Sequence, residues 1–333
     1  MPPTIAVTGG CGFIGQTLAK HLRVKFNVRV IDRAGMPAQT DDRIQLVNCD
    51  MRDYMKIREA LADADLVIHT AIVQIPQIKD ERRLGYEVNV IGTQNVCEAV
   101  RESRIAKGLI LTGSWHTIGE RNIVGTVDEK FGFRPDMVED RARVYALSKI
   151  AQEAVVRLFE DSSEDKTYGV IRLGTVLGEN MPEQTAANIF IERALKGQPL
   201  TPYEHSMHRP MLYVDVMDVC RAFESYAIKI LDGRLPKGDG SLQRVVNVYY
   251  PEPITILEIA EIVKESVARN SRGMIEPRIV VTKTGEKGHF TPQDKNSIRV
   301  DVSKAKEFLG LQELTSPKET IDRIVCTRMR RTQ

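Results

Sequence analysis

The stretch TIAVTGGCGFIGQTLAKHL, residues 4–22, decides the fold because it joins three structural signals. A short β-branched run, TIAVT, leads into a glycine-rich turn and then into residues with helical periodicity. Gly9, Gly12 and Gly15 occupy that turn. Glycines there let the backbone approach a pyrophosphate, and the N-terminal amides of a helix attract anions. The stretch therefore predicts a strand, a phosphate-binding turn and a helix that begin a dinucleotide-binding fold.

Acidic residues at the next strand ends support this interpretation. Asp32 ends the run NVRVID, where a carboxylate accepts hydrogen bonds from ribose hydroxyls. Its charge repels a 2′-phosphate and favours NAD over NADP, whereas the adjacent Arg33 is a residue type that accommodates that phosphate. After the third predicted strand, we expect Asp50 to contact the adenine and Asp53 to cap a helix. Cys11, inside the turn, is expected to fill space and not to be redox-active.

Strand-like and helical segments alternate through the first half of the chain. Near-continuous apolar runs such as DLVIHTA, GLILTG and YGVIRLG are separated by longer segments with helical patterning. Such alternation is typical of a parallel sheet covered on both faces. We therefore predict an α/β protein with a doubly wound parallel sheet of Rossmann type over residues 1–173. The alternation loosens into proline-rich connections over 174–333, which predicts a smaller, mainly substrate-binding domain, although RVVNVYY at 244–250 is a candidate strand of the main sheet.

Composition excludes several classes of function. The 333 residues are 42% hydrophobic and 28% charged, which is ordinary for a globular protein. A net charge of +2 gives no reason to expect a nucleic-acid or membrane partner. No apolar segment approaches the roughly 20 residues needed to span a bilayer, and the chain enters a strand with no room for a signal peptide, so we expect a cytoplasmic protein. The five cysteines are scattered without a C-x-x-C pair, so neither a disulfide framework nor a metal site is expected.

A tyrosine and a lysine four residues apart form a candidate reactive centre. Tyr145 and Lys149 lie in RVYALSKIAQEAVVRLF, whose helical pattern places them on one face. A phenol with a pKa near 10 needs a nearby cation to act as a base at neutral pH, and a lysine provides one. Ser114 ends the strand that precedes this helix, directly before Trp115 and His116. Such a pair is common by chance, but here it follows a dinucleotide fingerprint.

With these residues in place, the sequence resembles the extended short-chain dehydrogenase/reductase family, in its NAD-dependent epimerase/dehydratase branch. The resemblance covers nearly the whole chain and is carried by TGGCGFIG at 8–15, HTA at 69–71, NVIGTQNVCEA at 89–99, the serine strand, Y-x-x-x-K, IRLGTVLG at 171–178, MHRPMLYVDVMDV at 207–219 and RVDVSKAKEFLG at 299–310. As a set these motifs are highly specific.

The resemblance implies roles for individual residues. Tyr145 would exchange the hydroxyl proton, Ser114 would bind the same oxygen, and Lys149 would tune the tyrosine and hold the nicotinamide ribose. Hydride would then pass between a sugar carbon and NAD, a chemistry that belongs to the cofactor. The cofactor-binding residues implied are Gly9, Gly12, Phe13, Ile14, Gly15, Asp32, Arg33, Asp50, Met51, Thr70, Ala71, Tyr145 and Lys149.

The substrate is predicted less directly. Dehydratases of the family carry an acidic pair after the hydroxyl residue, where this chain has Trp115 and His116, which speaks against dehydration. Arg209 matches the position of a diphosphate-binding arginine in nucleotide-sugar members, and such a planar fork suits phosphate. Two features differ from that pattern. Thr175 stands where many nucleotide-sugar epimerases have asparagine. The motif Ser-x-His-x-x-Gly at 114–119 resembles uronate dehydrogenases, and this resemblance implies that His116 binds substrate.

These features favour a UDP-hexose 4-epimerase, with a uronate or other sugar or polyol dehydrogenase as the alternative. A non-catalytic NAD-binding sensor or scaffold is a third interpretation, which the retained Tyr145 and Lys149 disfavour. The resemblance also implies a homodimer that pairs helices near 89–103 and 145–160. Ala151, Val155, Val156 and Leu158 suit that interface, although packing within one chain explains them equally well.

Overall fold

The computed structural model describes residues 1–35, 42–235, 240 and 242–332. Its strands are β1 (Thr4–Thr8), β2 (Asn27–Asp32), β3 (Ile44–Asn48), β4 (Leu66–His69), β5 (Gly108–Ser114), β6 (Gly125–Val127), β7 (Thr167–Leu173), β8 (Thr175–Leu177), β9 (Pro210–Met211), β10 (Tyr213–Asp215), β11 (Val245–Val248), β12 (Ile254–Thr255) and β13 (Ile298–Val300).

The α-helices alternate with these strands as the patterning predicts. They are α1 (Phe13–Leu22), α2 (Tyr54–Ala60), α3 (Gln77–Asp80), α4 (Arg82–Tyr86), α5 (Gly92–Glu102), α6 (Arg143–Asp161), α7 (Ala186–Leu195), α8 (Val216–Leu231), α9 (Ile256–Asn270), α10 (Ser303–Leu309) and α11 (Pro317–Thr332). A π-helical turn at Glu87–Ile91 leads into α5, and a 3₁₀ turn at Trp115–Ile118 follows β5.

Seven parallel strands form the central sheet in the order β11-β7-β5-β4-β1-β2-β3. The order runs outward in both directions from β1, so the carboxyl ends of β1 and β4 flank the point where the winding reverses. Ligands of open α/β sheets bind at such a point. The predicted doubly wound parallel sheet is confirmed, and it places the glycine turn and the HTA segment beside each other.

Alternate residues along each strand feed two separate hydrophobic layers, as the period of a strand requires. In β1, Ile5 and Val7 belong to one cluster and Ala6 to the other. The first layer contains α1 and α8, which pack against each other, and the second contains α2, α5 and α6. Because both faces are covered, the central strands are mostly buried and apolar, whereas the edge strand β3 has exposed residues such as Gln45 and Asn48.

The chain leaves the sheet after β7 and returns to it. β11 pairs in parallel with β7, with Val245 opposite Val170, so the candidate strand at 244–250 lies in the main sheet. The segments before and after β11 build a smaller region in which β8 pairs with β10, β9 with β12, and α9 packs against α7 and α11. This region stands over the carboxyl ends of the sheet strands. None of the helices in the described part of the chain is long and apolar enough to cross a bilayer.

Candidate functional site

The glycine turn after β1 needs glycine for steric reasons. Gly9 has a φ of 68°, and a Cβ there would lie 2.5 Å from the Cα of Ala71. A Cβ on Gly15 would lie 2.6 Å from the Cα of Gly10. At Gly12 a Cβ would meet the Gly9 carbonyl oxygen at 3.3 Å and otherwise face open space among the described residues. The turn is therefore closed on the protein side and open beside Gly12, at the start of a helix that no described side chain caps.

Asp32 is held at the rim of this turn. Its two carboxylate oxygens accept from the backbone amides of Cys11 and Ala34, each at 2.9 Å. Arg33 is exposed beside it. The Cys11 thiol donates to the Ala34 carbonyl at 3.1 Å, and burial with the charge of Asp32 raises its pKa to about 11. This thiol remains protonated at neutral pH, which fits the space-filling role predicted for it.

Of the acidic residues after β3, Asp53 has the predicted capping role, whereas the adenine contact of Asp50 is not tested by the structure. Asp53 caps α2 by accepting from the Lys56 amide at 3.2 Å. Asp50 lines the cavity and is paired with Arg52 at 2.7 Å, and the Arg52 hydrogen bonds hold the pKa of its carboxyl below the usual value. Its predicted contact with adenine therefore stays a prediction, in which the carboxylate would act from within an ion pair.

The HTA segment packs directly against the glycine turn. The Thr70 hydroxyl donates to the Thr8 carbonyl at 2.7 Å, which fastens the segment to β1. His69 is fully buried between the Thr8 hydroxyl at 2.6 Å and the Thr93 hydroxyl at 2.9 Å. Burial lowers the pKa of His69 to about 3, so it packs as a neutral side chain.

Ser114, Tyr145 and Lys149 reach one cavity from two elements, because β5 ends in Ser114 and α6 carries the other two. The Lys149 ammonium donates to the Thr112 carbonyl at 2.7 Å. Burial raises the pKa of Tyr145 to about 12 and lowers that of Lys149 to about 7. Both shifts oppose the charged forms, as expected for desolvated groups.

The residues after Ser114 close the end of the strand with a 3₁₀ turn. Trp115 is 1% exposed and is therefore part of the core. Its indole N–H donates to the Thr175 hydroxyl at 3.1 Å, so Thr175 lines the cavity with its hydroxyl hydrogen-bonded to Trp115. His116 stands with Nδ1 3.3 Å from Ser114 Oγ, and its ring meets that of Tyr145 edge-on at 5.7 Å.

Arg209 is largely buried and forms an ion pair with Glu139. The same carboxylate accepts from Arg141 at 2.7 Å, and Arg141 also reaches the buried Glu120 at 3.1 Å. Arg209 therefore lies in the cavity and not on the surface. The sequence prediction missed both glutamates and Arg141. Their loop has no periodic pattern, and the spacing of four between His116 and Glu120 was the one available signal.

One cavity of about 1180 Å³ brings all the predicted residues together. It is lined among others by Gly9, Gly12, Phe13, Ile14, Gly15, Asp32, Arg33, Asp50, Met51, Thr70, Ala71, Ser114, His116, Tyr145, Lys149, Thr175 and Arg209. Across the described ranges, no three histidine, cysteine or acidic side chains are grouped so as to hold a metal ion.

Comparison with known proteins agrees with this arrangement. The model of the NAD dependent epimerase/dehydratase family matches residues 5–232. The chain belongs to this family. A Methanocaldococcus jannaschii protein named "Putative UDP-glucose 4-epimerase" is 26% identical over 332 residues, covering 96% of this chain and 97% of the relative.

Two further similarities differ in how much of this chain they cover. The Bos taurus sterol-4-alpha-carboxylate 3-dehydrogenase, decarboxylating, is 32% identical over 196 residues, covering 58% of this chain and 51% of that protein. The structure of MoeE5 in complex with UDP-glucuronic acid and NAD superposes with a TM-score of 0.76 at 21% identity, covering 99% of this chain and 100% of that one. The fold therefore extends over the whole chain, while the stretch similar to the sterol dehydrogenase is partial.

Proposed function

We propose that the protein is an NAD-dependent nucleotide-sugar 4-epimerase whose substrate is a UDP-hexose. The observation that carries the proposal is the continuous cavity, which runs from the glycine turn past Tyr145 to Arg209. Its volume of about 1180 Å³ exceeds the roughly 300–1,000 Å³ of pockets that hold one drug-sized ligand. A dinucleotide and a nucleotide sugar together require such a space. Similarity to the Methanocaldococcus jannaschii protein over 96% of the chain supports the same function.

The residues present fit NAD. The open space beside Gly12 and the uncapped start of α1 suit a pyrophosphate, and Asp32, held by two amides, suits the adenosine ribose. Asp32 also favours NAD over NADP, because its charge repels a 2′-phosphate. When bound, NAD supplies the hydride acceptor and donor at the end of the cavity that contains Tyr145.

The protein's own contribution is to move a proton and to hold the reacting oxygen. Tyr145 takes the hydroxyl proton of the substrate, and Ser114 binds the same oxygen. Because burial raises the pKa of Tyr145 to about 12, its phenolate needs a neighbouring positive charge. Lys149, with a pKa of about 7, is in part protonated at neutral pH and is the cation assigned to this task.

Arg209 is the residue assigned to the diphosphate. It is held at the cavity wall by Glu139, and its Nε is buried without a partner among the described residues. A diphosphate offers the guanidinium stronger, bidentate partners than one carboxylate. Binding would therefore exchange the Glu139 contact for phosphate contacts. Thr175, whose hydroxyl accepts from the Trp115 indole, lines the cavity and is the residue assigned to a substrate hydroxyl.

A uronate or other sugar dehydrogenase is the second candidate. The observation that favours it is His116, which lies beside both Ser114 and Tyr145 at the reacting end of the cavity. A histidine there suits the carboxylate or hydroxyls of a free sugar acid. In this alternative the ion pair between Arg209 and Glu139 remains intact, because the substrate has no diphosphate to replace the carboxylate.

The experiment follows the anomeric protons of UDP-galactose by NMR with purified protein and a trace of NAD. The proposal expects interconversion with UDP-glucose without net NADH. Arg209→Met should raise KM by about tenfold to a hundredfold, since a charged hydrogen bond contributes about 1.5–3 kcal/mol. Tyr145→Phe should abolish turnover and retain NAD binding, and undiminished turnover would exclude Tyr145 as the proton carrier. If UDP-galactose is not converted but a free uronate yields stoichiometric NADH, the dehydrogenase proposal replaces the epimerase proposal. If neither substrate is turned over, the result favours an NAD-binding sensor.

We infer that two copies pair through α5 and α6. On α6, Leu147 and Leu158 are 37% and 64% exposed, and Ile91, just before α5, is 54% exposed. Val156, in contrast, is fully buried in the protein's own core. Of the four apolar residues singled out in the sequence, Leu158 is exposed, Ala151 and Val155 are half-buried and Val156 is buried. Leu158, together with Leu147 and Ile91, therefore favours a partner helix pair.

A further inference from the structure

His116 stands between the serine of the reactive centre and a buried carboxylate that no motif predicted. Its Nδ1 lies 3.3 Å from Ser114 Oγ, and its Nε2 lies 3.5 Å from Glu120 Oε1. The side chain of Glu120 has 0% exposure, and that of His116 has 15%. The imidazole therefore connects the reactive centre to an interior carboxylate through its two ring nitrogens.

Glu120 is fixed from the other side. Its Oε2 accepts from the backbone amide of Glu139, and its Oε1 accepts from Arg141, each at 3.1 Å. Burial alone would raise the pKa of this carboxyl, and the charges of Arg209 and Arg141 with the amide of Glu139 lower its pKa against that effect. An ionised carboxylate held by two donors has a set position, so it acts as a fixed acceptor toward His116.

The chemistry of the imidazole then determines where its proton lies. A neutral imidazole has one N–H donor and one acceptor nitrogen, and an ionised carboxylate accepts only. The ionised carboxylate 3.5 Å away favours the proton on the nitrogen that faces it, which leaves Nδ1 as an acceptor facing Ser114. Ser114 Oγ accepts from the His116 backbone amide at 3.2 Å and is also a hydrogen-bond partner of the Tyr145 hydroxyl. Because a neutral phenol can donate its own proton to Oγ, the Ser114 proton remains available to Nδ1.

We propose that Glu120 is a positioning residue that holds His116 in the Nε2-protonated tautomer, so that before substrate binds the Ser114 hydroxyl donates to His116 and its proton has a set direction. Glu120 does not touch the cavity's reacting end and acts through His116. The catalytic consequence rests on the proposed function, in which Ser114 and a substrate hydroxyl meet. As Tyr145 takes the one proton of that hydroxyl, the Ser114 proton turns from His116 to the substrate oxygen left behind.

The charged groups around His116 make this assignment specific to Glu120. Besides Glu120, the groups that face the ring are Glu139, Arg141 and Arg209. Glu139 is engaged by both arginines. The arginines donate only and offer an imidazole proton no acceptor. Glu120 is thus the acid that sets the tautomer, in the way that a carboxylate orients a histidine in a hydrolase triad.

The test measures the tautomer of His116 in the full-length protein by two-bond ¹H–¹⁵N NMR of ¹⁵N-histidine-labelled samples. The chain has six histidines, and His116→Asn identifies the signal that disappears. The proposal expects wild-type His116 to be neutral with the proton on Nε2, and Glu120→Gln to populate the Nδ1-protonated form. A wild-type proton on Nδ1, or a Glu120→Gln spectrum with the wild-type tautomer, would overturn it. The wild-type measurement needs no variant to fold.

Turnover provides the second readout. Glu120→Gln should lower kcat by about tenfold or more, as loss of the partner that orients a histidine does elsewhere, with KM altered less. Asp136→Asn is the matched control, because Asp136 lies in the same loop, is exposed and is outside the cavity lining. It should leave both the tautomer and kcat unchanged. If UDP-galactose is not converted, the epimerase proposal fails, while the tautomer, measured without substrate, still decides the role of Glu120.

Discussion

Replacing Gly12 with alanine tests the cofactor turn with little disturbance of the protein itself. A Cβ at Gly12 meets the Gly9 carbonyl oxygen at 3.3 Å, a contact that a shift of a few tenths of an ångström relieves. The backbone of Gly12, with φ −75° and ψ 171°, is extended and open to alanine. We therefore expect the free energy of unfolding without cofactor to change by less than about 1 kcal/mol.

Affinity for NAD should respond far more strongly. The new methyl group would occupy the space through which a pyrophosphate reaches the amides at the start of α1. Loss of one hydrogen bond to a charged group costs about 1.5–3 kcal/mol, which corresponds to a roughly 10- to 100-fold increase in Kd. Gly15→Ala should behave differently, since its Cβ would lie 2.6 Å from the Gly10 Cα, and overpacking of this kind costs about 1–3 kcal/mol of stability.

Isothermal titration calorimetry of NAD and urea unfolding of the free protein measure the two effects separately. Gly132→Ala is the control, because no described atom lies within 4 Å of its Cβ position, and it should leave Kd unchanged. A Gly12→Ala protein with wild-type affinity and wild-type stability would refute the reasoning, since the pyrophosphate would then not approach at this turn.

Two further predictions concern pH and assembly. The pKa of buried His69, lowered to about 3 from 6.5, means that the unfolded chain binds the proton between these values, so stability should fall on acidification. Protonation of His69 in the unfolded chain should lower the free energy of unfolding by about 2 kcal/mol between pH 7 and 5. Urea unfolding at these two pH values measures this loss, which should be missing in His69→Asn. The same pH dependence in the variant and the wild type would contradict the assignment. Leu158, 64% exposed on α6, should hold two copies together, so Leu158→Glu should yield monomers in analytical ultracentrifugation while Val24→Glu, 72% exposed elsewhere, should not. A Leu158→Glu dimer would exclude this face.

Much of the fold follows from local pattern. The glycine turn, Asp32 and the alternation of apolar strands with helices each depend on neighbours in sequence, and the structure has each of them where the pattern predicts. β11 was harder to assign, because its pairing with β7 joins residues more than 70 positions apart and only its apolar run indicates a strand. Long-range pairing of that kind has no local signature.

The residues of the candidate site also differ in how far the sequence could predict them. Ser114, Tyr145 and Lys149 were found because a strand end and a helical spacing of four carry recognisable patterns. Glu120 and Glu139 were not, since their positions depend on how an irregular loop folds back over β5 and on which cations it meets there. The structure also shows what the sequence left open about Trp115: it is a core residue that braces Thr175, while His116 beside it faces the cavity.

The return of the chain to the central sheet at β11 bears on how such a protein can be rearranged. The region that would recognise the substrate is made from two stretches of chain, one on either side of β11 and α8, and so is not an appendage at the carboxyl terminus. A gene fusion that exchanged everything after β7 would also remove an edge strand and a covering helix of the nucleotide half. New specificity is therefore more accessible through insertions within the two stretches than through exchange of a terminal cassette, and chimaeras need at least two internal junctions to preserve the sheet.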